Sequence, residues 1–212
     1  MKLTYKKGKQ DKIHISVDGE YSFTVDETYF LSMGIYNGKE VDSDELEEIR
    51  ETVSVRRAYN YAVNLLSRRD HSVKELMNKL SQKGYSDGAE EAIEKLKKGG
   101  YVSDERFARL YVRELQTFKK YGKRRIEQEL YRKGIDREII SEVLEETDFD
   151  GSELVSLIGK KYGRYLGDEK GIAKTVNGLL RMGYSYSEIR DALKEISEND
   201  TGDGSLCSPD EY

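Results

Sequence analysis

The stretch Leu80-Ser81-Gln82-Lys83-Gly84-Tyr85 returns twice along the chain, as Leu130-Tyr131-Arg132-Lys133-Gly134-Ile135 and as Leu179-Leu180-Arg181-Met182-Gly183-Tyr184. In each copy Leu stands four residues before Gly, and a large apolar side chain follows the Gly. A glycine just past a helix takes the left-handed conformation without a Cβ penalty, and the apolar residue after it folds back onto the last turn. The spacing predicts three equivalent helix ends, closed by Tyr85 on Leu80, Ile135 on Leu130 and Tyr184 on Leu179. One match is weak; three at a period near 50 residues define an internal repeat.

Outward from each stop, apolar residues keep a period near 3.6. Helices are predicted before it, one element upstream, over Val55–Arg68, Asp104–Phe118 and Ser152–Tyr162. Others follow it over Asp87–Lys98, Arg137–Glu146 and Glu188–Ile196, with Asp136 and Ser187 as expected N-caps. Ser72-Val73-Lys74-Glu75 is a capping box that opens the middle helix of the first repeat, and Ser103-Asp104-Glu105 opens the second repeat. Upstream the period drops to two. Leu3–Lys7, Lys12–Val17 and Tyr21–Val25 read as strands, the last two joined by a turn at Asp18-Gly19-Glu20. Short helices follow at Asp26–Leu31 and from a cap at Asp42 or Ser43.

The expected fold is mainly α. It comprises an N-terminal β-hairpin segment with short helices (1–53), three tandem three-helix repeats (54–101, 102–148 and 149–196) forming an elongated array, and a disordered tail (197–212). A composition of 36% hydrophobic and 36% charged residues suits small cores with large solvated faces. A lone cysteine, Cys207, allows no internal disulfide, and no leader-like or bilayer-length apolar run is present. These features point to a cytoplasmic protein.

Catalysis finds little support. The two histidines, His14 and His71, are far apart, and no cluster of metal-ligand residues or phosphate-binding loop occurs. No cofactor or metal is expected. Tyr59, Tyr61, Tyr111, Tyr131 and Tyr162 sit near helical core spacing, which favours covering small cores over base stacking.

Charge is more informative. The net charge of −5 divides into −5 over residues 1–53, +4 over 54–149 and −4 over 150–212. Within the basic middle, Lys119, Lys120, Lys123, Arg124 and Arg125 crowd seven residues, and Gly122 leads into a helix N-terminus whose free amides favour anions. Arg106, Arg109 and Arg113 form a stripe on the preceding helix. Arg56, Arg57, Arg68 and Arg69 add a set in the first repeat, and Arg132 and Lys133 lie at the second stop. All fourteen are candidate contacts to a protein partner or to nucleic-acid phosphate.

Three segments carry a family resemblance. Ser72 to Gly84 and Gly100 to Tyr111 resemble the first-repeat signature of RecX regulatory proteins, and Arg125 to Ile135 is similar to the second. The N-terminal hairpin is similar to that of longer, Gram-positive-type members. The resemblance implies a modular helical regulator, without catalytic residues, that lies along the groove of the RecA–single-stranded DNA filament. It would mainly inhibit recombinase, ATPase and co-protease activity. RecA and its filament are the implied partners, with weak direct DNA contact as a further expectation and a monomeric state. The acidic net charge departs from many relatives and shifts weight towards protein contact. Two rivals stand beside this reading: a stand-alone helix-turn-helix DNA-binding protein, and a tyrosine-dependent nuclease or recombinase.

Overall fold

The structure, a computed structural model, describes residues 1–202, of which 199–202 are described as helical backbone only. It divides into two compact units, residues 1–102 and the chain from Ser103 onward.

The first unit begins with a three-stranded antiparallel meander, β1 (Leu3–Lys7), β2 (Lys12–Val17) and β3 (Glu20–Asp26). Asp18 and Gly19, at φ +51° and +89°, form the two-residue turn between β2 and β3. Register pairs Ile13 with Val25 and Ile15 with Phe23, so the alternating apolar set falls on one face. That face packs on Phe30 of α1 (Glu27–Ser32) and on Ile35, Val41, Leu46 and Val53.

Helix α2 (Ser43–Leu66) runs unbroken through the expected boundary at residues 53 and 54. Asp42 caps it, accepting from the Glu45 amide at 2.8 Å. No Gly or Pro interrupts these 24 residues, so nothing in the chain ends the helix there. Its first half closes the sheet core through Leu46 and Val53. Its second half enters the first-repeat core through Val55, Ala58 and Ala62, packing with α3 (Val73–Gln82) and α4 (Ala89–Lys98). The segment expected as one helix from Asp87 begins instead as a 3-10 turn, Ser86–Gly88, pressed onto α2. A Cβ on Gly88 would meet the Ser54 and Val55 backbone at 2.4 Å.

The second unit holds two repeats. The first comprises α5 (Asp104–Glu114), continued by a π turn at Leu115–Lys119, then α6 (Lys123–Arg132) and α7 (Arg137–Glu146) around Phe107, Val112, Ile126, Leu130 and Ile140. The next comprises α8 (Gly151–Leu157), again continued by a π turn at Ile158–Tyr162, then α9 (Glu169–Arg181) and α10 (Tyr186–Gly202). Its smaller core centres on Leu154, Ile158, Leu179 and Ile189. The predicted first helices of both repeats therefore end in wider turns than their periodicity indicates.

The predicted helix stops form as expected. Gly84, Gly134 and Gly183 stand at φ +78°, +79° and +93°. The amides of Tyr85, Ile135 and Tyr184 donate to the carbonyls of Leu80, Leu130 and Leu179 at 2.9, 3.2 and 3.2 Å. α4 ends the same way, with Gly100 at φ +73° and Tyr101 donating to Leu96 at 2.9 Å.

Other boundaries differ. The cap of α10 is Ser185, not Ser187: the Glu188 amide donates to its hydroxyl and the Ser185 amide to the Glu188 carboxylate, a reciprocal box. Asp136 occupies the cap position of α7 without a side-chain cap bond. α10 also runs through residues 197–202, which composition assigns to a disordered tail; no breaker precedes Gly202, and Lys194 pairs with Glu198 at 3.6 Å. Residues 203–212, with Cys207 and Pro209, lie outside the described residues.

A candidate partner-binding surface

The structure sorts the predicted cations by what faces them. Arg109 on α5 reaches Glu105 at 3.0 Å, Glu142 at 3.6 Å and Glu146, so it clamps α5 to α7. Glu129 takes both Arg125, at 2.8 Å, and Arg132, at 3.3 Å. Arg69 pairs with Glu75 at 3.0 Å, Lys120 with Glu153 at 3.4 Å, and Arg56 with Asp26 at 3.8 Å. Lys133 lies 5.2 Å over the Tyr111 ring. These seven have local electrostatic duties. Arg106 is exposed on α5.

Arg57, Arg68, Arg113, Lys119, Lys123 and Arg124 are exposed and have no carboxylate partner within 4.0 Å among the described residues. Four of them fall between the end of α5 and the first turn of α6. Phe118 stands among them, 78% exposed in the π turn. Its spacing continues the α5 period, so the sequence placed it on a helix; the wider turn leaves its ring in solvent beside Lys119.

That basic segment is held by the third repeat. Gly122 donates its amide to the Met182 carbonyl at 2.8 Å, and Arg124 donates to Gly183 at 3.3 Å. The expected anion site at the α6 N-terminus is therefore taken up by backbone carbonyls. The Tyr184 hydroxyl donates to the Lys120 carbonyl at 3.0 Å. Burial, with Glu153 and Glu188 nearby, pushes this phenol up to about 12, so it remains a neutral donor at physiological pH. Close by, Asp150, Glu153, Glu188, Asp191 and Glu195 rim a cavity of about 290 Å³, so the acidic charge of the third repeat collects beside the loop it supports.

Of the tyrosines, Tyr59, Tyr61, Tyr111 and Tyr162 are partly buried against the repeat cores, whereas Tyr131 is exposed. His71 is buried, and its Nδ1 lies 2.9 Å from the Arg69 carbonyl; that contact makes Nδ1 the protonated nitrogen, and burial lowers the imidazole pKa. Among the described residues no helix is long and apolar enough to cross a membrane.

In the first unit, a cleft of about 400 Å³ lies against α2. Arg56 and Arg57 line it, as the sequence-derived set would allow. The rest of its lining includes Lys12, Asp26, Tyr29, Asn60, Tyr61, Asn64 and Tyr85, none of them in the predicted set of contact cations. The available signal was a polar stripe at positions 56, 57, 60, 61 and 64 of the predicted helix Val55–Arg68, but the concavity it faces also needs Lys12 and Tyr29 from the N-terminal segment.

Comparison with known proteins matches both central repeats. Residues 58–101 match the RecX first three-helix domain and 103–144 the RecX second three-helix domain. Over its greater length the chain is 35% identical to the Regulatory protein RecX of Caldanaerobacter subterraneus subsp. tengcongensis, covering 89% of this chain and 95% of that one. The chain belongs to the RecX family. The Regulatory protein RecX of Clostridium acetobutylicum is 33% identical, over 93% of this chain and 96% of its own. A crystal structure of RecX from Lactobacillus salivarius aligns with a TM-score of 0.62 at 29% identity, over 68% of this chain and 97% of that chain. Another crystal structure of a regulatory protein RecX shares the fold at a TM-score of 0.62 over 90% of this chain. RecX membership thus covers the N-terminal sheet and the third repeat as well as the two matched domains, and it places the chain among regulatory proteins.

Proposed function

We propose that this protein regulates RecA by binding it and its filament on single-stranded DNA, and that it mainly inhibits recombinase, ATPase and co-protease activity. It works by binding rather than catalysis, as a cytoplasmic monomer. The observation that carries the reading is the segment from Arg113 to Arg124. Exposed cations without acidic partners among the described residues flank an exposed aromatic residue along the chain, on a loop pinned by backbone bonds to the next repeat. Aromatic and arginine side chains on a preorganised surface are the usual anchors of protein interfaces. Successive repeats offer several weak contacts to neighbouring subunits of a filament, and their effects multiply. Arg57 and Arg68 extend the same role to the first repeat, with weak DNA contact as a secondary property.

The helix-turn-helix alternative fares worse on charge. Such proteins present the first turn of the last helix to base edges. Here those turns carry Glu90 and Glu91 in α4, Glu138 in α7 and Glu188 in α10, which would face DNA phosphates with carboxylates.

The test is RecA ATP hydrolysis on single-stranded DNA with Arg113→Glu/Lys119→Glu/Arg124→Glu added in place of the wild type. These residues make no ion pair among the described residues, so the variant folds and its inhibition is lost. Undiminished inhibition by the folded variant refutes the assignment.

A further inference from the structure

Helix α2 presents two stripes at helical spacing. Val55, Ala58 and Ala62 are buried in the repeat core. The other stripe runs Arg56, Arg57, Asn60, Tyr61 and Asn64, and it faces the cleft of about 400 Å³. That stripe brings several hydrogen-bonding side chains to one concavity of ligand size, the arrangement that recognises a polar ligand.

The two arginines on that stripe are held in place by neighbouring rings. The Arg57 guanidinium lies 5.0 Å over the Tyr85 ring and has no carboxylate partner within 4.0 Å among the described residues. Arg56 lies 4.2 Å over Tyr29, and its Asp26 contact, at 3.8 Å, is too long for a hydrogen bond. Its Nε is buried without a hydrogen-bond partner, a donor awaiting an acceptor. Guanidinium forks match phosphate oxygens, and stacking on tyrosine fixes their direction. Asn60 and Asn64, one turn apart, each carry a donor and an acceptor, the pairing that reads a base edge. Tyr61 and Tyr85 meet edge to face at 5.6 Å, giving an aromatic wall on which a planar base packs.

We propose that this cleft binds a phosphorylated nucleoside, either free or as one unit of a single strand, with its phosphate on Arg56, Arg57 and Lys12 and its base against Tyr61, Tyr85 and the two asparagines. A bare anion would use the arginines and leave the amides and rings idle. The inference rests on reading Arg56 and Arg57 as binding cations and is independent of RecA.

The test uses the full chain without RecA. ATP and inorganic phosphate are titrated by calorimetry, and a fluorescein-labelled oligodeoxythymidylate by anisotropy, on wild type, Arg57→Glu and Asn64→Asp. Both substitutions are exposed, and circular dichroism checks their folding. The expected result is binding of nucleotide or strand in preference to phosphate, with Kd raised about tenfold or more in each variant. Strand binding with no response to ATP assigns a nucleic-acid unit, whereas ATP that displaces the strand assigns a free nucleotide. Several outcomes overturn the proposal: no binding of either, binding unchanged in both variants, phosphate binding as tightly as ATP, or displacement by poly-glutamate as readily as by the strand. Loss of nucleotide binding in Asn64→Asp with RecA inhibition intact separates this site from the regulatory surface, to which Asn64 does not contribute.

Discussion

Gly183 is where two repeats touch through backbone alone, and replacing it with alanine separates two costs. At φ +93° a Cβ strains the backbone by about 1–2 kcal/mol. The same Cβ would also stand 2.3 Å from the Arg125 amide nitrogen and 2.4 Å from the Arg125 Cβ, so α6 must move away. Overpacking of that kind costs about 1–3 kcal/mol, and the movement stretches the Gly122–Met182 and Arg124–Gly183 hydrogen bonds. Two companions isolate the terms. Gly84→Ala has a similar φ of +78° but nothing within 4 Å, so it carries only backbone strain. Gly122→Ala has φ −76°, so it carries only the clash, at 2.6 Å against the Gly183 carbonyl carbon. Urea denaturation followed by circular dichroism should place Gly183→Ala at about 2–4 kcal/mol, with each companion at about half that. Hydrogen exchange should show the Gly122 and Arg124 amides deprotected in Gly183→Ala and Gly122→Ala but not in Gly84→Ala. If Gly183→Ala costs no more than Gly84→Ala and those amides stay protected, the junction does not hold the basic loop as described.

Phe118→Ser should leave stability within about 0.5 kcal/mol, because the ring is exposed, yet weaken RecA inhibition severalfold if it anchors the partner. Arg109→Met should cost about 1 kcal/mol at low salt and less at high salt, measured by denaturant midpoint, because three glutamates lose a shared but solvent-screened counter-charge. Tyr184→Phe should cost about 1 kcal/mol and speed exchange in the 119–125 segment by removing the donor to Lys120. For His71 the folded-state pKa lies below the ordinary 6.5, so the unfolded chain takes up the proton first as pH falls. Stability should therefore be intact above about pH 7 and decline below about 6.5, by at most about 1.4 kcal/mol per pH unit, and His71→Gln should flatten that slope.

The register of the repeats was legible because a helix stop is a local event. Leu80, Gly84 and Tyr85 need only each other to close the chain, and so do their two counterparts. The strands were equally legible, since alternation places Ile13, Ile15, Phe23 and Val25 on one face whatever covers it. Family signatures sat on the same short stretches. The continuity of α2 was less visible: its buried face rotates from the sheet core to the helical core near residue 54, and a change of apolar stripe reads as a break. Charge, in turn, is counted in sequence but neutralised in space. Arg109 and Lys120 are as basic as Arg113 and Lys119 on paper, yet the first two face glutamates brought from α7 and α8. By itself, then, the sequence determined the helix stops, the three-helix repeat and its period, because local backbone chemistry and periodicity suffice for these. Only the tertiary structure decided which cations are free, that the α6 amides serve the third repeat instead of an anion, and that α2 lines a polar cleft. Ion pairing, amide satisfaction and concavity all depend on groups that meet across the fold.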